Sequence, residues 1–171
     1  MKQIFFLFAA SSFLIAQAPD FSTNSSAALS LQNTVRRSIV KSAEKMSSEN
    51  YDFKPTADVR SFGAIVAHTA DAQYAFCSAV LGEKNPAPGV EKKFKSKSDL
   101  VTAVKAAFDY CDKAYASVTE ANAGEKVKFF GSDRTKLSIL SFNTMHLFEH
   151  YGNLVTYMRL KGVVPPSSEH N

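Results

Sequence analysis

The chain has 171 residues, 45% hydrophobic and 21% charged, with a formal net charge of +4. That is enough chain for one domain with a substantial core, and the composition is ordinary for a folded globular protein. Basic residues are scattered apart from Lys92, Lys93, Lys95 and Lys97, which read as a solvated loop. The basic stripe with aromatic platforms expected of a nucleic-acid binder is therefore missing.

Residues 1–18 read as a secretory signal. Lys2 supplies the positive start, Ile4 to Ile15 the apolar run, and Ala16-Gln17-Ala18 the small-x-small cleavage site. The run is too short for a comfortable membrane span, which takes about 20 residues. Pro19 directly after the cut fits a signal peptidase poorly, and the alternative is an uncleaved N-terminal anchor. Export would place Cys77 and Cys111 in an oxidising compartment, where they serve as core thiols or as one disulfide.

Four helical stretches follow over residues 19–166. The first runs from about Ser26 to Ser48, with Leu31, Val35, Ile39 and Met46 at helical spacing. A connector over residues 50–60 is anchored by Tyr51 and Phe53, and Pro55 keeps Lys54 out of a helix. The second stretch runs from about Ser61 to Leu81, stopped by Gly82, after which Pro86, Pro88 and Gly89 keep the chain in a loop. The third runs from about Lys97 to Ala121 behind a Ser96/Asp99 capping pair, with an apolar stripe of Val101, Val104, Phe108, Cys111, Tyr115 and Val118. A short connector with Val127, Phe129 and Phe130 lies between Gly124 and Gly131. The fourth stretch runs from about Asp133 to Lys161, where Gly162 ends it and Pro165-Pro166 prevent its resumption. With no strand series and no internal repeat, the expectation is an all-α four-helix bundle, and residues 167–171 read as a disordered polar tail.

The chemistry lies on two helix faces. His146 and His150 are four residues apart, so they stand one turn above the other on one face. His68 lies on the second stretch, sharing its face with the small residues Ala64, Ala72, Ala75 and Ala79. Three imidazoles meeting between helices would hold one divalent ion and leave a coordination position open, which is the layout of a catalytic zinc-type site. Asn143, His146, His150, Asn153 and Tyr157 together fall within an arc of about 80°, and this polar stripe reads as the lining of a wet cavity. Asn143, Asn153 and Tyr157 are candidate substrate-positioning residues. Glu149 is the candidate base, or an outer partner of a ligand histidine. His146 to His150 also match H-x-x-E-H, the inverted zinc-protease motif, but that reading needs an acidic ligand well downstream, and only Glu169 follows. Covalent haem is excluded by the lack of C-x-x-C-H. A di-iron site would need paired Glu-x-x-His motifs. Cys77, nine residues after His68, faces away from the imidazole.

Further residues extend the pattern: Phe53-Lys54-Pro55-Thr56, then Arg60-Ser61-Phe62-Gly63 leading to His68. They continue with Phe142-Asn143, His146, Glu149-His150-Tyr151-Gly152, Tyr157-Met158-Arg159 and Val164-Pro165-Pro166. Over nearly all of the mature chain this resembles the DinB/YfiT-like superfamily of metal-dependent proteins. The resemblance implies an up-down-down-up four-helix bundle carrying zinc or nickel on His68, His146 and His150. It also implies kinship with transferases and isomerases that use low-molecular-weight thiols.

The sequence thus leads to a metal-dependent enzyme, a hydrolase or thiol transferase, acting on a small-molecule substrate. The alternative is a non-catalytic metal-binding or interaction bundle. The protein is expected to be periplasmic or secreted, with no nucleic-acid partner, no stable membrane span once the signal is removed, and a homodimer left open. Mass spectrometry of the native protein should find a chain starting near Pro19. An intact Met1 together with a cytoplasmic location would reject the signal.

Overall fold

Thr23 opens the first helix by a reciprocal cap. Its side chain accepts from Ser26 N, and Ser26 Oγ in turn accepts from Thr23 N at 3.0 Å. From there α1 spans Asn24–Lys45. The computed structural model describes residues 19–169, so the expected signal over residues 1–18, and His170, lie outside the described residues. Val35, Ile39 and Met46 are fully buried as their spacing predicts, but Leu31 is turned to solvent. Gln32, the next residue, takes the inward place.

Tyr51 and Phe53 dock the connector onto the start of the second helix. Tyr51 O accepts from Gly63 N at 2.8 Å, and Phe53 O accepts from Phe62 N at 3.0 Å. A Cβ on Gly63 would meet the Tyr51 ring at 2.9 Å, so this close approach requires glycine. Helix α2 (Phe62–Leu81) is capped by Ser61 and ended by Gly82 at φ 70°.

The loop that follows contains a turn of helix, α3 (Val90–Lys93), where the prolines and glycine led us to expect none. Asp71 on α2 explains it. Its carboxylate accepts from the backbone N–H groups of Gly89, Val90 and Glu91 at 2.7, 2.7 and 2.9 Å, and satisfies the donors that a helix start leaves free. Helix α4 (Lys97–Ser117) begins with Ser96 Oγ accepting from Asp99 N, as the sequence indicates.

The next connector departs most from expectation. Lys126–Phe129 (β1) and Ser132–Thr135 (β2) form an antiparallel hairpin, and β2 passes straight into α5 (Lys136–Leu160). The alternation of Lys126, Val127, Lys128 and Phe129 is a strand pattern, and its partner begins where the fourth helix was expected to start. Thr135 caps α5 instead, its Oγ1 accepting from Ser138 N at 3.2 Å. Beyond Gly162 the chain is held rather than free. Ser167 N donates to Tyr151 OH at 3.0 Å, and Glu169 pairs with Lys45 at 2.6 Å. These contacts order Ser167–Glu169, which the sequence had suggested would be a loose tail.

The four long helices form a bundle in which α1 and α2 lie across a diagonal, while α2 touches both α4 and α5. One apolar cluster fills the half of the bundle around Phe62, Val66, Phe108 and Leu154. A second surrounds Phe76, Tyr115, Ile139 and Leu140 under the hairpin. None of the described helices is long and apolar enough to cross a membrane.

In the second cluster Cys77 and Cys111 are bonded to each other, joining α2 to α4 across 34 residues of chain. By loop-closure entropy, such a bond stabilises a fold by about 3–4 kcal/mol. The Cys77→Ala, Cys111→Ala double variant should therefore unfold in urea with a loss of that order relative to the oxidised protein. Equal midpoints would show that the bond adds nothing.

Candidate metal centre

Helices α2 and α5 run antiparallel, as their pairings show: Arg60 O receives the Tyr157 hydroxyl at 2.9 Å, His68 meets His146 and His150, and Gln73 meets Asn143. His68 is thus set opposite the gap between the two α5 histidines. His146 Nε2 lies 3.2 Å from His68 Nε2 and 3.0 Å from His150 Nε2. Ligand atoms of all three residues lie within 4.8 Å of one another.

A tetrahedral ion with Zn–N bonds of about 2.0–2.1 Å sets neighbouring nitrogens roughly 3.3 Å apart. The two separations from His146 Nε2 are close to that, so the donor set fits a divalent cation. Protonation is a poor alternative way to relieve the crowding. Burial and the neighbouring imidazoles His146 and His68, together with Arg60, push His150 down to about 4. Burial, then His68, likewise lowers His146, while burial, then Arg60, lowers His68. Neutral imidazoles are the form that binds metal.

Outer partners flank two of the three rings. His150 Nδ1 lies 3.5 Å from the Asn153 amide, and His68 Nδ1 lies 4.0 Å from Glu91 Oε2. Glu91 was not singled out from sequence, because its place depends on α3 and on the Asp71 contacts that hold it. It also pairs with Arg60 at 3.2 Å. His146 Nδ1 is buried with no hydrogen-bond partner among the described residues. The Phe76 ring lies 5.9 Å from the His146 ring, closing that side.

On the other side His150 lines an open, polar cleft of about 780 Å³, together with Glu149, Asn153, Tyr157, Arg60 and Glu91. Ala64 lies in its wall, so a small residue leaves room there as its place on the helix suggested. Glu149 and Asn153 are exposed to it, whereas the Tyr157 hydroxyl is used in holding Arg60 O.

Asn143 is a correction to the expected cavity lining. It is fully buried, and its amide donates to Gln73 Oε1 at 2.6 Å and to Tyr115 OH at 3.2 Å. One turn below His146 the stripe enters the interior, where the Asn143 amide lies 4.0 Å from Cys111 Sγ of the disulfide. The bundle offers Asn143 two polar partners there, and no opening to solvent.

A scan against family models matches residues 33–154 to the DinB superfamily. The chain belongs to that superfamily. Among curated proteins it is similar to the uncharacterized protein YjoA of Bacillus subtilis, with 29% identity over 126 residues, covering 70% of this chain and 79% of that one. The crystal structure of YjoA superposes with a TM-score of 0.66 at 22% identity, covering 84% and 99% of the two chains. A DinB-like protein from Bacillus cereus ATCC 10987 gives 0.73 at 16% identity, covering 82% and 94%. A mycothiol-dependent maleylpyruvate isomerase gives 0.62 at 14% identity, covering 76% of this chain and 60% of that one. These structural likenesses establish the bundle fold.

The lowered His150 value sets a pH dependence for the metal-free protein. Between about 4 and 6.5 the unfolded chain binds a proton that the folded chain refuses, so stability is full above the upper value and falls as acid is added. With a chelator present, urea unfolding of the wild type should lose more stability from pH 7 to pH 4.5 than that of His150→Gln. Equal losses would mean that His150 is not held neutral.

Proposed function

We propose that this protein is a metal-dependent enzyme that acts on a small molecule by hydrolysis or thiol transfer, using one zinc or nickel ion held by His68, His146 and His150. The observation that carries the reading is the convergence of three imidazoles, one of which, His150, lines an open polar cleft. A structural metal site is normally closed by a fourth protein ligand, whereas a catalytic one keeps a position free. A divalent ion held there would act as a Lewis acid, lowering the pKa of a water or thiol towards about 7.

The chain's own residues have distinct parts in this scheme. The three histidines bind, and Asn153 steadies His150 from behind. With metal on Nε2, Nδ1 carries the proton, so Asn153 would turn its carbonyl oxygen to accept it. Glu149 is free in the cleft and serves as the proton acceptor and donor for the substrate. Tyr157 holds the Arg60 segment, and through it the cleft wall, so its positioning of substrate is indirect. Asn143 has no part in this scheme.

Two chemistries share the site. Thiol transfer is favoured by the fold shared with a protein named as a mycothiol-dependent isomerase. Hydrolysis is favoured by the proposal that the protein is exported, which the Cys77–Cys111 bond supports.

Zinc and nickel titrations, with metal analysis of protein taken from its native compartment, test the centre. One equivalent should bind, and His150→Ala should abolish stoichiometric binding with helical circular dichroism largely intact, because bundle stability comes mainly from apolar burial. Unchanged metal content would show the ligands to be wrong. A metal-loaded wild type with no activity towards ester or thiol-acceptor panels would point to a non-catalytic metal-binding bundle.

A further inference from the structure

The hairpin and α5 frame a second cavity of about 350 Å³, open to solvent on one side and walled by Phe129, Phe130, Ile139 and Phe142. It is distinct from the cleft at the histidines, and the Phe76 ring stands between them, 5.5 Å from Phe142 and 5.9 Å from His146. The cavity has two features that packing alone does not account for.

The first is Phe130. It occupies the hairpin turn at φ 47°, followed by Gly131 at φ 77°. A two-residue turn with both central φ values positive normally takes Asn-Gly, because a bulky side chain in the left-handed region is strained. Phe130 bears that strain and still leaves 79% of its surface exposed, although its ring lies only 4.1 Å from that of Phe129. Backbone strain of this kind concentrates at ligand clamps.

The second is Arg134. The strand register pairs Val127 with Arg134 and Phe129 with Ser132. Cross-strand partners share a face, so Arg134 belongs to the side of the hairpin that packs against the bundle, and it remains exposed to solvent where it lines the cavity. The opposite face carries the Lys128–Asp133 ion pair. Among the described residues Arg134 has no carboxylate partner, and the hydroxyl-bearing Ser132 and Ser138 lie beside it in the cavity wall. A guanidinium in such a place recognises an oxyanion, and the rings around it recognise an apolar body.

We propose that this cavity binds a small anionic ligand with an aromatic or acyl body, its anion on Arg134 and its body between Phe130 and Phe142. The site goes beyond the metal reading and does not rest on it. Fluorescence titration of the full chain, with a chelator present, tests it with two dyes: anilinonaphthalene sulfonate, which is anionic, and phenylnaphthylamine, which is neutral. Both should bind one-to-one. Phe130→Ala should weaken both by about tenfold, and Arg134→Gln should weaken the sulfonate by about tenfold while sparing the neutral dye. Circular dichroism confirms that both variants fold. Absence of saturable one-to-one binding, or unchanged sulfonate affinity in either variant, overturns the proposal.

Discussion

The seam between α2 and α5 must carry polar groups through an apolar bundle, and much of the molecule is arranged to make that tolerable. A buried nitrogen or amide costs free energy unless something answers it. At the Asn143 level the answer is partial and comes from within: the Asn143 amide nitrogen donates to Gln73 and Tyr115, and the Tyr115 hydroxyl bonds Leu140 O at 2.8 Å, while Asn143 Oδ1 and Gln73 Nε2 have no partner among the described residues. At the histidine level no other side chain among the described residues joins the three imidazoles where their nitrogens meet, and a cation held there would satisfy them. The antiparallel run of the two helices fixes both levels at once. A slip of one turn would take His68 out of reach of its partners and Gln73 away from Asn143.

A single aromatic ring flanks the histidine level on the side of the hairpin. Phe76 touches Phe129 and Phe142 on one side and His146 on the other. It covers one side of His146 and forms the base on which the hairpin rests. Bundle interior, hairpin cavity and histidine centre thus meet at one residue of α2, while the Cys77–Cys111 bond at the next position ties that stretch of helix to α4.

Much of this was legible in the sequence because it is periodic. The i, i+4 spacing of His146 and His150 fixes their common face whatever surrounds them. Gly82, Gly162 and the Ser96/Asp99 pair mark helix ends through local chemistry alone. Asn143 shows where periodicity stops being informative: an 80° arc on a helix wheel does not say which turns of the helix open to solvent and which are covered by a neighbour. Leu31 and Gln32 show the same uncertainty on α1, where one residue's rotation exchanges an apolar side chain for a polar one. The hairpin was missed because each strand is only four residues long, and the second was absorbed into the helical pattern that follows it. Glu91 could not have been found by spacing, since its approach to His68 depends on a bond network made by Asp71 twenty residues earlier.

That network has a consequence for how the fold can diverge. Gly82 fixes one end of the loop after α2, and the Asp71 carboxylate fixes the other at Gly89, Val90 and Glu91. The six residues between these anchors can be lengthened, shortened or recoloured in sequence at small entropic cost, with the wall of the cleft left where it is. The substitution that the arrangement cannot absorb is at Asp71 itself, a side chain whose hydrogen bonds all go to that backbone and which is not one of the three histidines. Relatives with very different loops can therefore share one centre, provided that each keeps an acceptor at that place on the helix.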